Sequence, residues 1–203
     1  MLSVLVGVAF WKWQADLQGR GTLEERPLEG LGIFGAVPPF SLMERDGRRI
    51  TLSDLKGKVS IVNFIYTNCP DTCPIQSAQM KQLQEDFKNE KELLLVSITV
   101  DPKRDTPKVL SEYADRFGAD AARWFFLTGE QERIYKLAQE GFHLGAVEIP
   151  HEQKPASGAT YTHSPRFVLV DREAHIRGYY VSTDAEAMTR VRRDLEILLR
   201  GGQ

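Results

Sequence analysis

Cysteine is scarce in this chain: of its 203 residues only Cys69 and Cys73 are cysteines. Two cysteines are too few for the disulfide framework of a small secreted domain. They leave three interpretations, which are a single bridge, a redox pair and part of a metal site. Three residues separate them, whereas two residues separate the cysteines of a thioredoxin-type redox pair.

An excess of charge of either sign is also missing. The chain has 26 lysines and arginines against 28 aspartates and glutamates, for a net charge of −2. Nucleic-acid binding depends on phosphate neutralisation by clustered positive charge, so we expect no nucleic-acid partner. No glycine-rich phosphate-binding fingerprint follows any predicted strand, so nucleotide binding has no support either.

The chain lacks a hydrophobic run long enough to span a bilayer, but it begins with a shorter one. Residues 1–11 are almost entirely apolar, and Trp11-Lys12-Trp13 is typical of a membrane–water interface. Eleven residues extend only roughly 16 Å as a helix, about half of a bilayer core. No basic segment precedes them, as a secretory signal would require. We therefore interpret residues 1–14 as the remnant of a truncated or misassigned membrane anchor, with a surface helix or flexible tail as the alternative. Residues 15–37 are interpreted as a linker.

From residue 38 to residue 203 the hydrophobic pattern alternates between strands and helices, which indicates one domain. The predicted elements are a hairpin at 40–43 and 49–52, strand 59–66, helix 75–87, strand 93–100, a helix from Thr106 to Gly118, strand 124–127, a helix from Thr128 to Gly141, a loop at 143–161, a hairpin at 166–170 and 176–181, and a last helix from Asp184. This order favours an α/β fold with a central mixed sheet flanked by helices and an N-terminal β-hairpin. The closing ββα unit indicates a thioredoxin-like fold rather than a doubly wound nucleotide binder.

The two cysteines fall between predicted strand 59–66 and predicted helix 75–87, in the segment Cys69-Pro70-Asp71-Thr72-Cys73-Pro74. Prolines and aspartate are typical of a turn, and turns lie at the surface, which argues against two small core residues. The helix dipole favours the thiolate at such a position. Thiolates attack disulfides and bind soft metals, so redox exchange and metal binding both remain open.

His163 is the residue that favours a metal site. It stands just before predicted strand 166–170, which in a thioredoxin-like sheet neighbours the strand leading to Cys69. The other three histidines lack this placement. Two thiolates favour Cu(I), and an imidazole lets the same site accept Cu(II). A closed structural zinc site normally has a fourth protein ligand, and no residue offers one at a clear spacing.

Three segments resemble, in the same order, the motifs of the Sco/SenC family of copper chaperones. They are FIYTNCPDTCP at 64–74, TVDPKRDTP at 99–107 and YTHS at 161–164, the last followed by a strand and Asp171. The similarity runs from about residue 38 to residue 199. It implies a thioredoxin fold that binds one copper ion, as Cu(I) or Cu(II), through Cys69, Cys73 and His163.

Asp101 and Asp105 match the acidic segment of the family, which lies close to the metal site. Each also has a purely structural interpretation. Asp101 precedes a proline and suits a turn, and Asp105 suits a helix cap.

The resemblance also implies a function. It implies delivery of copper to the CuA centre of cytochrome c oxidase, or reduction of that centre's cysteines. The implied partners are the copper-bearing subunit of the oxidase or another copper chaperone. The family layout implies an N-terminal membrane anchor, with the domain in the periplasm or an equivalent outer compartment. We thus expect a metallochaperone rather than an enzyme.

The alternative function is that of a thiol–disulfide oxidoreductase, in which Cys69 attacks and Cys73 resolves the mixed disulfide. Pro165 departs from the family pattern and occupies the position of the cis-proline of thioredoxins, which favours thiol chemistry. It also suits the first residue of an edge strand. A peroxiredoxin-like peroxidase fits less well, because Thr67 precedes Cys69 by two residues rather than three.

Overall fold

A computed structural model of the chain describes residues 30–149 and 160–201. The predicted anchor at 1–14 and most of the predicted linker at 15–37 lie outside these ranges. Within the described ranges, no helix combines the length and the apolar character that crossing a membrane requires.

The fold is built on one mixed sheet of eight strands, with a second sheet of two strands beside it. The strands are β1 (Gly35–Ala36), β2 (Ser41–Glu44), β3 (Arg49–Thr51), β4 (Val59–Ile65), β5 (Leu93–Thr99), β6 (Trp124–Thr128), β7 (Ala146–Glu148), β8 (Tyr161–His163), β9 (Arg166–Val170) and β10 (His175–Val181). The order in the large sheet is β1-β10-β9-β4-β5-β6-β2-β3, and β7 pairs with β8. Strands β4, β5 and β6 are parallel, and β9 runs antiparallel to β4. The predicted mixed sheet is confirmed, as is the predicted neighbourhood of β9 and β4.

The central strands β4 and β5 are buried along their whole length. Their near-continuous apolar runs are typical of strands that are covered on both faces. Two of the polar residues inside them, Asn63 and Ser97, are paired across the two strands. Asn63 Oδ1 accepts a hydrogen bond from Ser97 Oγ at 2.8 Å, and Ser97 Oγ in turn accepts one from Trp124 Nε1 at 3.0 Å. These hydrogen bonds join three neighbouring strands inside the core.

Five α-helices complete the described part of the chain. They are α1 (Leu52–Leu55), α2 (Thr72–Asp86), α3 (Pro107–Arg116), α4 (Gln131–Lys136), which continues as a π-helix (Leu137–Gly141), and α5 (Ala185–Leu199). The predicted caps of α3 and α5 are confirmed: Thr106 accepts a hydrogen bond from the Val109 N–H, and Asp184 accepts from two N–H groups of the first turn of α5. Gly118 follows α3 with a φ of 63°, a conformation suited to glycine at a helix end.

Two helix starts differ from the prediction. Helix α2 begins at Thr72 instead of residue 75, because Pro74 falls within the first turn, where a helix needs no N–H from it. Helix α4 begins at Gln131 with Glu130 as its N-cap. The predicted cap Thr128 pairs with Met43 as the last residue of β6, so it is not available to the helix.

Three strands lie where no strand is predicted. Strand β7 falls inside the predicted loop 143–161 and pairs with β8, which begins at the end of that loop. Strand β1 falls inside the predicted linker and pairs with β10. Each has only two or three residues, too few to show an alternating pattern. Their pairing partners, rather than their own sequence, make them strands.

Candidate metal centre

The cysteine loop connects β4 to α2 and exposes its two thiols unequally. Cys69 is half-buried, whereas Cys73 lies in the first turn of α2 and is completely buried. Both belong to the described residues, and no disulfide joins them. The predicted surface position is therefore confirmed for Cys69 and wrong for Cys73. The inward face of α2 begins at Cys73, and this places its side chain in the core.

Burial raises the pKa of the Cys73 thiol far above its ordinary value, and a hydrogen bond with the Cys69 side chain raises it further. The predicted preference for thiolate is thus wrong for Cys73, because desolvation outweighs the helix dipole. A cation at the sulfur reverses this balance, since a coordinating thiol loses its proton outright. The arrangement suits a sulfur that exchanges a proton for a soft metal ion.

Tyr66 connects the cysteine loop to β8. Its pKa is raised by burial and then by a hydrogen bond with the Cys69 side chain, against a lowering by a backbone hydrogen bond from Thr160. Its ring packs edge-on against that of Tyr161, with centroids 5.3 Å apart. Through this one residue the half-exposed thiol contacts the strand that ends at His163.

His163 is the last residue of β8, with its backbone paired opposite Ala146. Its side chain lies outside the described part of the structure. The peptide bonds within the described ranges are all trans, including the one before Pro165, so the cis-proline of thioredoxins is not reproduced.

Asp105 is completely buried and anchors the cysteine loop to the end of β5. Its carboxylate accepts hydrogen bonds from the Thr67 N–H at 3.0 Å and the Thr67 hydroxyl at 2.6 Å, and from the Thr99 hydroxyl. Burial raises the pKa of this carboxyl group, against the lowering effect of the hydrogen bonds. Thr106 rather than Asp105 caps α3, so the cap interpretation of Asp105 is wrong.

Asp101 is buried in the turn after β5, where it faces β8. Its carbonyl oxygen accepts from the Asp105 N–H at 2.8 Å, which confirms the predicted turn. A hydrogen bond from the Tyr161 hydroxyl reaches its carboxylate, and burial together with this bond raises the pKa of Tyr161. The structure therefore brings both aspartates to the candidate centre, one against the cysteine loop and one against β8.

The sequence pattern does not reveal the tyrosines of this centre. Tyr66 continues an apolar strand pattern, and Tyr113 belongs to the apolar stripe of α3. In the structure the Tyr113 hydroxyl lies 3.5 Å from the Cys73 carbonyl oxygen and 2.9 Å from Ser77 Oγ. A tyrosine buries like a core aromatic, and its hydroxyl finds its partner only after the segments pack.

Asp171, Glu173 and His175 form a second cluster of metal-ligating residue types in the described ranges. The carboxylate of Asp171 already accepts from Arg177 at 3.0 Å and from the backbone N–H groups of Glu173 and His175. This carboxylate therefore organises the turn between β9 and β10.

A mixed sheet whose central strand β4 runs through a two-cysteine loop into a helix defines a thioredoxin-like protein with a dithiol centre. The SCO1/SenC family profile matches residues 34–196, and the chain belongs to this family. The resemblance inferred from the three motifs is confirmed.

Known relatives agree in sequence and in fold. The chain is 33% identical over 142 residues to the SCO1 homologue of Bacillus subtilis. The matched region covers 69% of this chain and 70% of that protein. A SCO1/SenC family lipoprotein from Bacillus anthracis superposes with a TM-score of 0.72 at 31% identity, covering 81% of this chain and 95% of that one.

Two further structures are relevant to chemistry. BsSco is a member of the Sco family of cytochrome c oxidase assembly proteins, and a disulfide switch was identified in it. It superposes with a TM-score of 0.71 at 28% identity, covering 86% of this chain and 98% of that one. The copper-bound ScoI of Arabidopsis thaliana superposes with a TM-score of 0.65 at 26% identity, covering 79% of this chain and 98% of that one.

Proposed function

We propose that this protein is a copper metallochaperone that binds one copper ion through Cys69, Cys73 and His163. The two thiolates hold Cu(I), and the imidazole adds the nitrogen ligand that Cu(II) accepts. Tyr66 supports this proposal most directly, because it joins the Cys69 side chain to β8, the strand that carries His163. Three ligands leave the coordination number low, so that the ion stays exchangeable, as a carrier requires.

The recipient in this proposal is the copper-bearing subunit of cytochrome c oxidase or another copper chaperone. Support comes from membership of a family that includes an oxidase assembly protein and a copper-bound relative. The half-exposed position of Cys69 is also consistent with transfer, since an incoming thiolate reaches the metal from that side.

A second candidate function is reduction of a disulfide in the recipient, and the unequal exposure of the two thiols favours it. The sulfur of Cys69 attacks the target disulfide and forms a mixed disulfide. Cys73 then attacks Cys69, which releases the reduced target and leaves the disulfide between the two cysteines. The hydrogen bond between their side chains supports this step, as does the disulfide switch identified in BsSco.

We also propose that the chain is anchored to a membrane through its N-terminal segment, with the domain in the periplasm or an equivalent outer compartment. Support comes from the apolar residues 1–11 with their flanking tryptophans, and from the relative in Bacillus anthracis, which is a lipoprotein.

An anaerobic Cu(I) titration of the reduced full chain against a competing chelator tests the copper proposal. Cu(II) binding is followed in parallel through its thiolate charge-transfer absorption. The His163→Ala variant should keep most of its Cu(I) affinity and lose Cu(II) binding, whereas the control His175→Ala should resemble the wild type. If the wild type and both variants bind copper weakly but still reduce disulfides, the carrier function is wrong and the protein is an oxidoreductase.

A further inference from the structure

Gln76 presents a buried carboxamide without a hydrogen bond. The side chain is 0% exposed, and neither Nε2 nor Oε1 has a hydrogen-bond partner among the described residues. Buried polar atoms in folded proteins are nearly always paired, and an unpaired amide destabilises the fold. Such a group is available to a partner that appears in another state of the protein.

The position of Gln76 identifies the candidate partner. Gln76 lies three residues after Cys73 on α2, and both belong to the buried face of this helix. Residues three apart on a helix are neighbours, and helical side chains lean toward the N-terminus. Gln76 therefore lies within one helical turn of Cys73, on the same buried face. Ser77, the next buried residue, is already paired with Tyr113.

We propose that Gln76 is a positioning residue for Cys73, whose Nε2–H group donates a hydrogen bond to Cys73 Sγ when this sulfur is an anion bound to copper. A neutral thiol is a weak acceptor, whereas a charged acceptor forms a shorter and stronger hydrogen bond. Hydrogen bonds to a coordinating cysteine sulfur tune metal affinity and redox potential. This inference deepens the proposed copper-binding function and rests on it.

Gln84 provides a matched control on the same helix. It is also buried, but its Nε2 donates to the Gly118 carbonyl oxygen at 3.0 Å, and its Oε1 accepts from the Asp120 N–H at 2.8 Å. Gln84→Met therefore removes two existing hydrogen bonds, and Gln76→Met removes none. The reduced, unmetallated full chain should be at least as stable in the Gln76 variant as in the wild type, and less stable in the Gln84 variant.

The experiment uses copper alone as the ligand of the full chain. Gln76→Met should lower Cu(I) affinity about tenfold and shift the Cu(II)–thiolate band to lower energy, because the sulfur loses a donor. Gln84→Met should leave both unchanged. Gln76→Leu, a second apolar variant, also lacks the donor and should shift the band in the same direction.

A readout without metal separates this inference from the proposed function. Thiolate absorbance is followed as the pH of the reduced, unmetallated protein is raised. The later of the two ionisation steps should move to higher pH in Gln76→Met and stay in place in Gln84→Met. If the wild type binds no copper, the proposed function fails, and this titration still tests the hydrogen bond. Normal copper binding with an unshifted band and unshifted ionisation in Gln76→Met would overturn the role of Gln76 alone.

Discussion

Tyr66 and Tyr161 pack edge to face, with ring centroids 5.3 Å apart and ring planes inclined by 60°. Tyr66 directly precedes the cysteine loop, and Tyr161 opens the strand that ends at His163. Their contact joins two segments that are far apart in the chain. This pair of aromatic residues therefore connects the cysteine loop to the strand that carries His163.

Loosening this contact should affect Cu(II) more than Cu(I). Tyr161→Leu removes an aromatic pair and a hydrogen bond to Asp101, worth about 1 kcal/mol each. Because only Cu(II) binding relies strongly on the imidazole, its affinity should fall roughly tenfold or more, with a smaller change for Cu(I). Chelator competition measures both. Tyr161→Phe keeps the ring and should give an intermediate loss of Cu(II) affinity. Equal losses of affinity for Cu(I) and Cu(II) would contradict a link between this contact and the imidazole.

Copper affinity should rise with pH. Burial raises the pKa of the Cys73 thiol, so this group carries a proton at neutral pH and must release it when copper binds. Cu(I) affinity should therefore change by about tenfold per pH unit for each proton released, and should fall as the solution is acidified. Cu(I) competition titrations across the neutral range give the slope. Cys73→Ser should show a shallower slope, and a flat profile in the wild type would exclude a dithiolate site.

Removing the carboxylate of Asp105 should destabilise the fold and disorder the cysteine loop together. Asp105→Ala leaves the Thr67 N–H and the hydroxyls of Thr67 and Thr99 without their acceptor, at a cost of about 3 kcal/mol in the free energy of unfolding. Urea denaturation measures this loss. Asp105→Asn keeps an acceptor oxygen and should lose less. An unchanged free energy of unfolding in the alanine variant would show that the three donors find other partners.

Asp105 should also make stability depend on pH in the acid range. Burial raises the pKa of this carboxyl group above its ordinary 3.8, so the folded protein holds the proton more tightly than the unfolded chain. Its contribution to the free energy of unfolding is therefore largest below 3.8 and declines as the pH rises toward the folded-state pKa. Urea midpoints should show the wild type losing stability relative to Asp105→Asn through this window. The opposite slope would show a lowered pKa.

Arg123 should stabilise the end of α2 that lies away from the cysteines. Its guanidinium donates to the carbonyl oxygens of Phe87 at 2.7 Å and Gln84 at 3.1 Å. Arg123→Ala should lower the free energy of unfolding by about 2 kcal/mol, since these are hydrogen bonds from a charged donor. Amide exchange should report fraying of the last turn, and Arg123→Lys should recover part of the loss. Copper affinity should stay unchanged, and a clear drop would mean that the whole helix is coupled to the metal site.

Local chemistry allowed the scaffold to be predicted from the sequence. The apolar runs of β4 and β5 are long enough to identify buried strands, and Thr106 before Pro107 marks the start of α3. The cysteine pair and the histidine segment were recognised because their motifs are short and continuous. Such features depend on residues close in sequence, so they are visible without a structure.

The features that the sequence pattern did not predict arise from contacts between segments that are distant in the chain. The sequence places Cys73 in a turn, and only the packing of α2 against the sheet makes it a buried thiol with a raised pKa. Asp105 looks like a helix cap until the cysteine loop folds onto it. The amino-acid sequence alone therefore identified the family and predicted the donor residues. Burial, proton affinity and the joining of the cysteine loop to β8 emerged only from the three-dimensional fold, because desolvation and long-range hydrogen bonds belong to no single segment.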